Sequence, residues 1–416
     1  MNMHRTPWLL AAGVASLWLA GCGATPAPQP KANVNSSKSN KAPKTTTKTA
    51  DKAKSLKVIA FYDQTMSAVP PDPFSLVKAH PGLVDYLSPF WYEVSSTGSI
   101  IAKPEGNAPT LAAQDHLPLM PLFNNAGAGD VFLKSAATRA VAIRNIVSTV
   151  TAHHYPAINI DFQGLKSSDR TDLTAFMDSL SKAMPKSDII SMSVVPLTSG
   201  NGQSSAYDYT ALDKVVGAMV LMAYDFHGDG TPPGPVSPYA WVQKSITTAL
   251  HAGIQPSKLY LGIANYGYLW TNGSTKATTI PLKVMHQHKY GVYKWSPTYK
   301  EAYDIYTSGG VSHVLWFVSD RAAVDRIDLA KKDHLGGVAF WRIGYEDAKW
   351  WNAVSGALKG SSSPSGTAAS RSPVSPQYVK RTGKKARKTV IAPAKKAVKT
   401  TTHKANNAKN QATKKK

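Results

Sequence analysis

Cysteine occurs once in 416 residues, which excludes an intramolecular disulfide and any cysteine-rich metal site. Acid is also scarce: 25 Asp+Glu stand against 48 Lys+Arg, for a net charge of +23. Such an excess ordinarily points to nucleic acid, but its distribution does not. Residues 1–22 carry one Arg, residues 23–56 carry seven Lys and one Asp, and residues 361–416 carry fifteen Lys+Arg and no acid. That leaves +1 for residues 57–360. A near-neutral middle argues against a nucleic-acid groove built into the fold; the basic ends suit an anionic polymer or surface. No His/Asp/Glu cluster has metal-ligand spacing, so neither metal nor cofactor is expected. What is present is apolar: 43% of residues, enough for a sizeable core, in a length fit for one large domain or two ordinary ones.

Both ends read as something other than a folded domain. Arg5 followed by the short apolar run Trp8 to Ala20 has the form of an export signal, too short to span a bilayer comfortably. Leu19-Ala20-Gly21-Cys22 then resembles the lipobox of bacterial lipoproteins, with the chain's single cysteine at the lipidated position. The alternative is an ordinary signal peptide with an incidental cysteine. Lipid on Cys22 would tether the protein to the outer face of the cytoplasmic membrane, at the cell wall. Residues 23–56, rich in Ala, Pro, Thr, Ser, Asn and Lys, cannot bury enough surface to fold and read as a spacer. Residues 361–416 have the same character, with dense clusters at Lys384–Lys388 and Lys414–Lys416. They read as a solvated tail, or as an adhesive for anionic wall polymers or lipid headgroups.

Between the ends, strand-length apolar runs recur: Val58–Tyr62, Val84–Tyr92, Leu117–Phe123, Ala157–Phe162, Ile189–Val195, Val215–Tyr224, Leu259–Tyr266 and Gly337–Ile343. Several are continuously hydrophobic, as parallel strands covered on both faces require. Helical patterns lie between them. Ile143, Ile146, Val147 and Val150 share one helical face. Leu173, Phe176, Met177 and Leu180 share another, in a helix opened by Ser168 or Asp169 and closed by Pro185. Ala240–His251 and Ala322–Lys332 look similar. Eight strands with interleaved helices predict an α/β fold, a (β/α)8 TIM barrel over residues 57–360. The longest spacing, between the seventh and eighth strands, predicts an insertion over residues 269–320 that contains a strand at His313–Val318.

In such a barrel the chemistry sits at the C-terminal ends of the strands. On the fourth strand, alternation places Asn159, Asp161 and Gln163 on one face and Ile158, Ile160 and Phe162 on the other. Three polar side chains in a row would be costly in a plain core, so a polar pocket at the barrel centre is expected. Tyr224-Asp225 ends the sixth strand and Trp341-Arg342 the eighth.

These segments, with Leu261–Trp270 and Gly336–Asp347, resemble glycoside hydrolase family 18, the chitinase family, over roughly residues 57–355. Bacterial spore-cortex and cell-wall N-acetylglucosaminidases are the branch they most resemble. The family motif Asp-x-x-Asp-x-Asp-x-Glu places its last three acids at Asn159, Asp161 and Gln163. The resemblance implies substrate-assisted catalysis, in which the final Glu protonates the glycosidic oxygen and the preceding Asp orients the substrate's N-acetyl group. Here Gln163 stands where that Glu would be, and an amide has no proton to give at a useful pKa. The resemblance further implies that Tyr224 bonds the N-acetyl carbonyl, that Asp225 holds sugar hydroxyls, and that Trp341 forms the floor under the innermost sugar. The plainer alternatives are a buried anchor for Tyr224, a helix cap for Asp225 and a core residue for Trp341. Asn159 joins them as a substrate-binding candidate; Trp91, Trp241, Trp270 and Trp316 are weaker candidates for outer sugar subsites.

Three readings follow. The first is a degenerate glycosidase that binds N-acetylglucosamine-containing glycan, peptidoglycan or chitin, with hydrolysis lost or impaired. The second is an active hydrolase, with Glu346 or a substrate-bound water network in place of the missing acid. The third is a wall-adhesion scaffold whose barrel is a spacer between lipid and basic tail.

Overall fold

Runs of Val, Ile, Leu and Ala form strands with little exposed side chain on either face, and the chain alternates these with amphipathic helices. The computed structural model describes residues 56–63, 74–200, 202–287 and 292–360. The segments read above as an export signal with Cys22, as a spacer (up to residue 55) and as a basic tail (from residue 361) lie outside the described residues. The strands are β1 Lys57–Tyr62, β2 Tyr86–Pro89, β3 Tyr92–Val94, β4 Ile100–Ala102, β5 Leu122–Asn124, β6 Ala157–Asp161, β7 Ile189–Val194, β8 Ala218–Leu221, β9 Leu259–Ala264, β10 Tyr266–Thr271, β11 Ala277–Pro281, β12 Lys294–Ser296, β13 Glu301–Ser308, β14 Val311–Phe317 and β15 Gly337–Trp341.

The main sheet runs β2-β1-β15-β9-β8-β7-β6-β5-β3-β4, parallel throughout except for the β3–β4 hairpin. It curls until β2 meets the segment that leads into β5. The Leu87 amide donates to the Pro118 carbonyl at 2.9 Å, and the Met120 amide donates to the Leu87 carbonyl at 2.8 Å. Eight strands therefore close a (β/α)8 barrel. A small cluster of Ile59, Phe61, Met120, Leu122, Ala157, Val220 and Ala339 lies together as one apolar core, separate from the large cluster that joins strands to helices.

Helices follow their sequence signals. Ala136–His153 is capped by Ser135, whose side chain accepts from the Ala137 amide. Arg170–Ala183 buries Leu173, Phe176, Met177 and Leu180 and has Asp169 at its N-cap, with Pro185 just beyond its end. Tyr239–His251, Asp320–Lys332 and Ala348–Lys359 complete the longer ones.

Three expectations need correction. The run Val84–Tyr92 is not one strand. It breaks after Pro89, and the β3–β4 hairpin leaves the barrel to extend the edge beyond β5. Leu117–Phe123 shortens to Leu122–Asn124, because Pro118 and Pro121 lack the N–H that a central ladder needs. The insertion is also larger in structure than one strand. It begins at Tyr266, read above as the end of the seventh strand, and forms an antiparallel sheet ordered β11-β10-β14-β13-β12.

Candidate active site

The C-terminal ends of β6, β7, β8 and β15 surround a cavity of about 670 Å³. Asp161, Gln163, Tyr224, Asp225 and Trp341 all line it. Asn159 does not. It is fully buried one position deeper, donating to Ser191 Oγ and accepting from Ser193 Oγ, both at 3.0 Å. The expectation that Asn159 binds substrate is corrected accordingly: its side chain braces β6 against β7 beneath the cavity. A polar face on β6 thus has two uses, a lower rung tied to serines and an upper rung open to a ligand.

Strand alternation brings Asp161 and Gln163 to the same side, and their side chains meet. Gln163 Nε2 donates to Asp161 Oδ1 at 2.9 Å and to Oδ2 at 3.1 Å. Burial pushes the Asp161 carboxyl up to about 6, partly offset by the Gln163 hydrogen bond, which favours the anion. The Gln163 backbone is held as well. Asn125 accepts from its amide and donates to its carbonyl, each at 2.8 Å. The Asp161 carboxylate is therefore satisfied by an amide that can position a ligand but cannot protonate one.

Tyr224 follows β8 and packs against Gly262 of β9. A Cβ at residue 262 would stand 2.9 Å from the Tyr224 ring and 2.7 Å from the Leu221 carbonyl, so glycine there makes the room. Burial raises the Tyr224 hydroxyl well above its ordinary range, leaving a neutral donor. Asp225 takes a left-handed backbone, φ 57°. Its Oδ1 accepts from Tyr266 at 2.6 Å and from Tyr268 at 2.9 Å. Burial raises this carboxyl despite both hydrogen bonds.

Trp341 closes β15 and is partly exposed to the cavity. Its ring contacts Phe61 at 5.5 Å and Phe90 at 6.4 Å between centroids, and the peptide to Arg342 is cis. An aromatic face of this kind suits the apolar side of a pyranose.

The loop after Asp225 contributes residues that the sequence did not single out for binding: Phe226, His227, Thr231 and Pro232. Only the Gly and Pro density of residues 228–238 signalled a loop there. The insertion pins it. Glu301 of β13 accepts from the Val236 and Ser237 amides and pairs with the buried Arg326 at 3.2 Å. Trp270 Nε1 donates to the Thr231 carbonyl at 3.0 Å. Ser193, Ser199, Gln203 and Met222 add further wall.

Of the weaker tryptophan candidates, only Trp241 lines the cavity. Trp91 and Trp270 are buried, and Trp316 stacks on Tyr303 within the insertion. Glu346 is not at the cavity either. It is 2% exposed, accepts from Asn265 Nδ2 and Trp351 Nε1 at 3.1 Å each, and cannot reach a bound sugar as a substitute acid. Among the described residues, no group of three or more His, Cys, Asp or Glu could hold a metal ion.

Relatives carry the same architecture. The chain is 26% identical over 289 residues to the cortical fragment-lytic enzyme of Bacillus anthracis, covering 65% of this chain and 67% of that protein. The crystal structure of the Bacillus megaterium spore cortex-lytic enzyme SleL superposes with a TM-score of 0.65 at 23% identity, over 73% of this chain and 74% of the other. A chitinase from Chromobacterium violaceum superposes at 0.66 with 19% identity, over 73% and 99%. The model of glycosyl hydrolases family 18 matches residues 92–346, more than half of the sequence. The chain belongs to glycosyl hydrolases family 18.

Proposed function

We propose that the barrel binds a glycan containing N-acetylglucosamine and that its hydrolysis is lost or strongly impaired. The observation that carries this reading is the Gln163 amide turned onto both oxygens of Asp161. The cavity keeps an aromatic floor, a neutral Tyr hydroxyl and two carboxyls for sugar hydroxyls and an N-acetyl group, with a side chain unable to donate a proton at the position of the acid. A general acid is worth about 10²–10⁴-fold in rate. Relatives named for lysis of cortical fragments favour peptidoglycan as the polymer; structural neighbours named chitinases share the fold and keep chitin in play.

One observation favours residual turnover as a second reading. Asp161 lines the cavity and its carboxyl is pushed up to about 6, so a fraction is protonated near neutral pH. Glu346 offers no such route.

We further propose that the exported protein is lipid-anchored through Cys22, outside the cytoplasmic membrane, with the basic tail on anionic wall polymer. The Leu19-Ala20-Gly21-Cys22 segment and the +15 of residues 361–416 support this. No helix among the described residues is long and apolar enough to cross a membrane.

Calorimetric titration with chitotetraose and with peptidoglycan fragments tests the binding reading. Saturable binding is expected for the wild type and weakening of about tenfold or more for Trp341→Ala, the loss of one stacked aromatic. No binding of either glycan would favour the scaffold alternative.

A further inference from the structure

Strand pairing between β9 and β15 ends at the register pair Ala264 and Trp341. One residue further on, a side chain takes over from the ladder. Asn265 Oδ1 accepts from the Arg342 amide at 2.7 Å, and Asn265 Nδ2 donates to the Arg342 carbonyl at 2.8 Å. The Asn265 backbone amide donates to the Trp341 carbonyl at 3.1 Å. A single asparagine, 1% exposed, thus holds the chain on both sides of Arg342, immediately after the cavity floor.

The clamp is itself backed. Asn265 Nδ2 also donates to Glu346 Oε2, while Trp351 Nε1 donates to Glu346 Oε1, each at 3.1 Å. The Arg342 N–H and C=O set which way the Asn265 amide faces, and Glu346 backs that orientation with a further acceptor for the nitrogen. The same device recurs at the other critical strand end, where Asn125 grips the amide and carbonyl of Gln163. A side-chain amide matched to one residue's N–H and C=O is a rigid substitute for strand hydrogen bonds.

We propose that Asn265 is a positioning residue for the glycan cavity. With Glu346 behind it, it orients the Trp341 indole by clamping the adjoining backbone. It touches no ligand and acts through Trp341. Two buried polar groups that serve no chemical step in the cavity, Asn265 and Glu346, acquire a role in this way.

The test uses the full chain labelled with 5-fluorotryptophan. The Trp341 fluorine resonance is assigned by its loss in Trp341→Phe. Asn265→Ala and Asn265→Ser are compared with Val354→Ala, a buried site on the Ala348–Lys359 helix that serves as a control for lost stability. Glu346→Gln is a third probe, which keeps the clamp's own bonds and removes part of its backing. The Trp341 resonance is expected to shift or broaden in both Asn265 variants, to move less in Glu346→Gln, and to stay in place in Val354→Ala. Chitotetraose affinity is expected to fall about tenfold in the Asn265 variants and to hold in the control. The affinity arm rests on the proposed glycan binding; the fluorine arm does not. Without glycan binding by the wild type, the functional proposal falls and the fluorine result still decides the role of Asn265. An unmoved Trp341 resonance in an Asn265 or Glu346 variant that folds, or an equal change in Val354→Ala, overturns the inference.

Discussion

Gln163→Glu is the sharpest perturbation the site offers. The substitution keeps side-chain size and replaces one NH2 with an ionisable oxygen. In the wild type that NH2 lies 2.9 and 3.1 Å from the two oxygens of Asp161. The new carboxyl would therefore face another carboxyl at hydrogen-bond distance. Two carboxylates about 3 Å apart repel by roughly 5 kcal/mol at an effective dielectric near 20. Burial already pushes Asp161 up to about 6. The pair would hold one shared proton at neutral pH rather than lose both, which is the state a general acid needs. Hydrolysis should rise by on the order of tenfold or more, within the usual worth of such a group. Asn159 keeps the gain partial, since a neutral amide stands where the family motif has a further acid. Release of reducing ends from N-acetylglucosamine polymer is the assay, with wild type, Gln163→Glu and the Gln163→Glu/Asp161→Asn pair side by side. The double variant should lose the gain, because the carboxylate that would orient the N-acetyl group is then gone and Tyr224 alone is left to hold it. An unchanged rate in Gln163→Glu with glycan affinity intact would refute the reasoning.

Three further outcomes are expected. Wild type should partition with the detergent phase while Cys22→Ser is released or left unprocessed; identical partitioning would remove the lipid anchor. Deleting residues 361–416 should weaken binding to whole cell walls more at low salt than at high salt, since exposed charge is screened within about 10 Å at 0.1 M; equal binding at low salt would count against tail adhesion. For His286, burial works against protonation, yet the carboxylates of Asp320 at 3.0 Å and Asp347 at 2.6 Å raise it above its ordinary value. Its contribution to stability is full below the unfolded value of about 6.5 and fades as pH rises through the folded one. The difference in Tm between wild type and His286→Gln should accordingly shrink from pH 6 towards pH 9, and a constant difference would show that the pair does not titrate as described.

Architecture was legible where burial on both faces imposed continuous apolar runs. Ala157–Asp161, Ile189–Val194 and Gly337–Trp341 fall within the runs that announced them. It was least legible where proline interrupts the ladder, as at Pro89, Pro118 and Pro121, because apolar composition continues while hydrogen bonding stops. Insertion strands such as β13 mix exposed and buried side chains, so periodicity showed only His313–Val318 of that sheet. At the site, two-residue alternation correctly put Asp161 beside Gln163 but could not tell Asn159 apart, since depth along a strand carries no sequence signal. His227 and Thr231 reach the cavity from a loop pinned by Glu301 and Trp270, residues distant in sequence. Glu346 illustrates the converse: an acid just after a strand end, whose burial and two N–H donors are tertiary facts.

Binding and cleavage measured on one preparation test the central claim most directly. Mass spectrometry first excludes deamidation at Gln163, which precedes Gly164. The protein is then titrated with chitotetraose and peptidoglycan fragments, and the same samples are assayed for new reducing ends. The account predicts saturable binding with release at the level of the protein-free blank. Steady turnover by wild-type protein with Gln163 intact would contradict it.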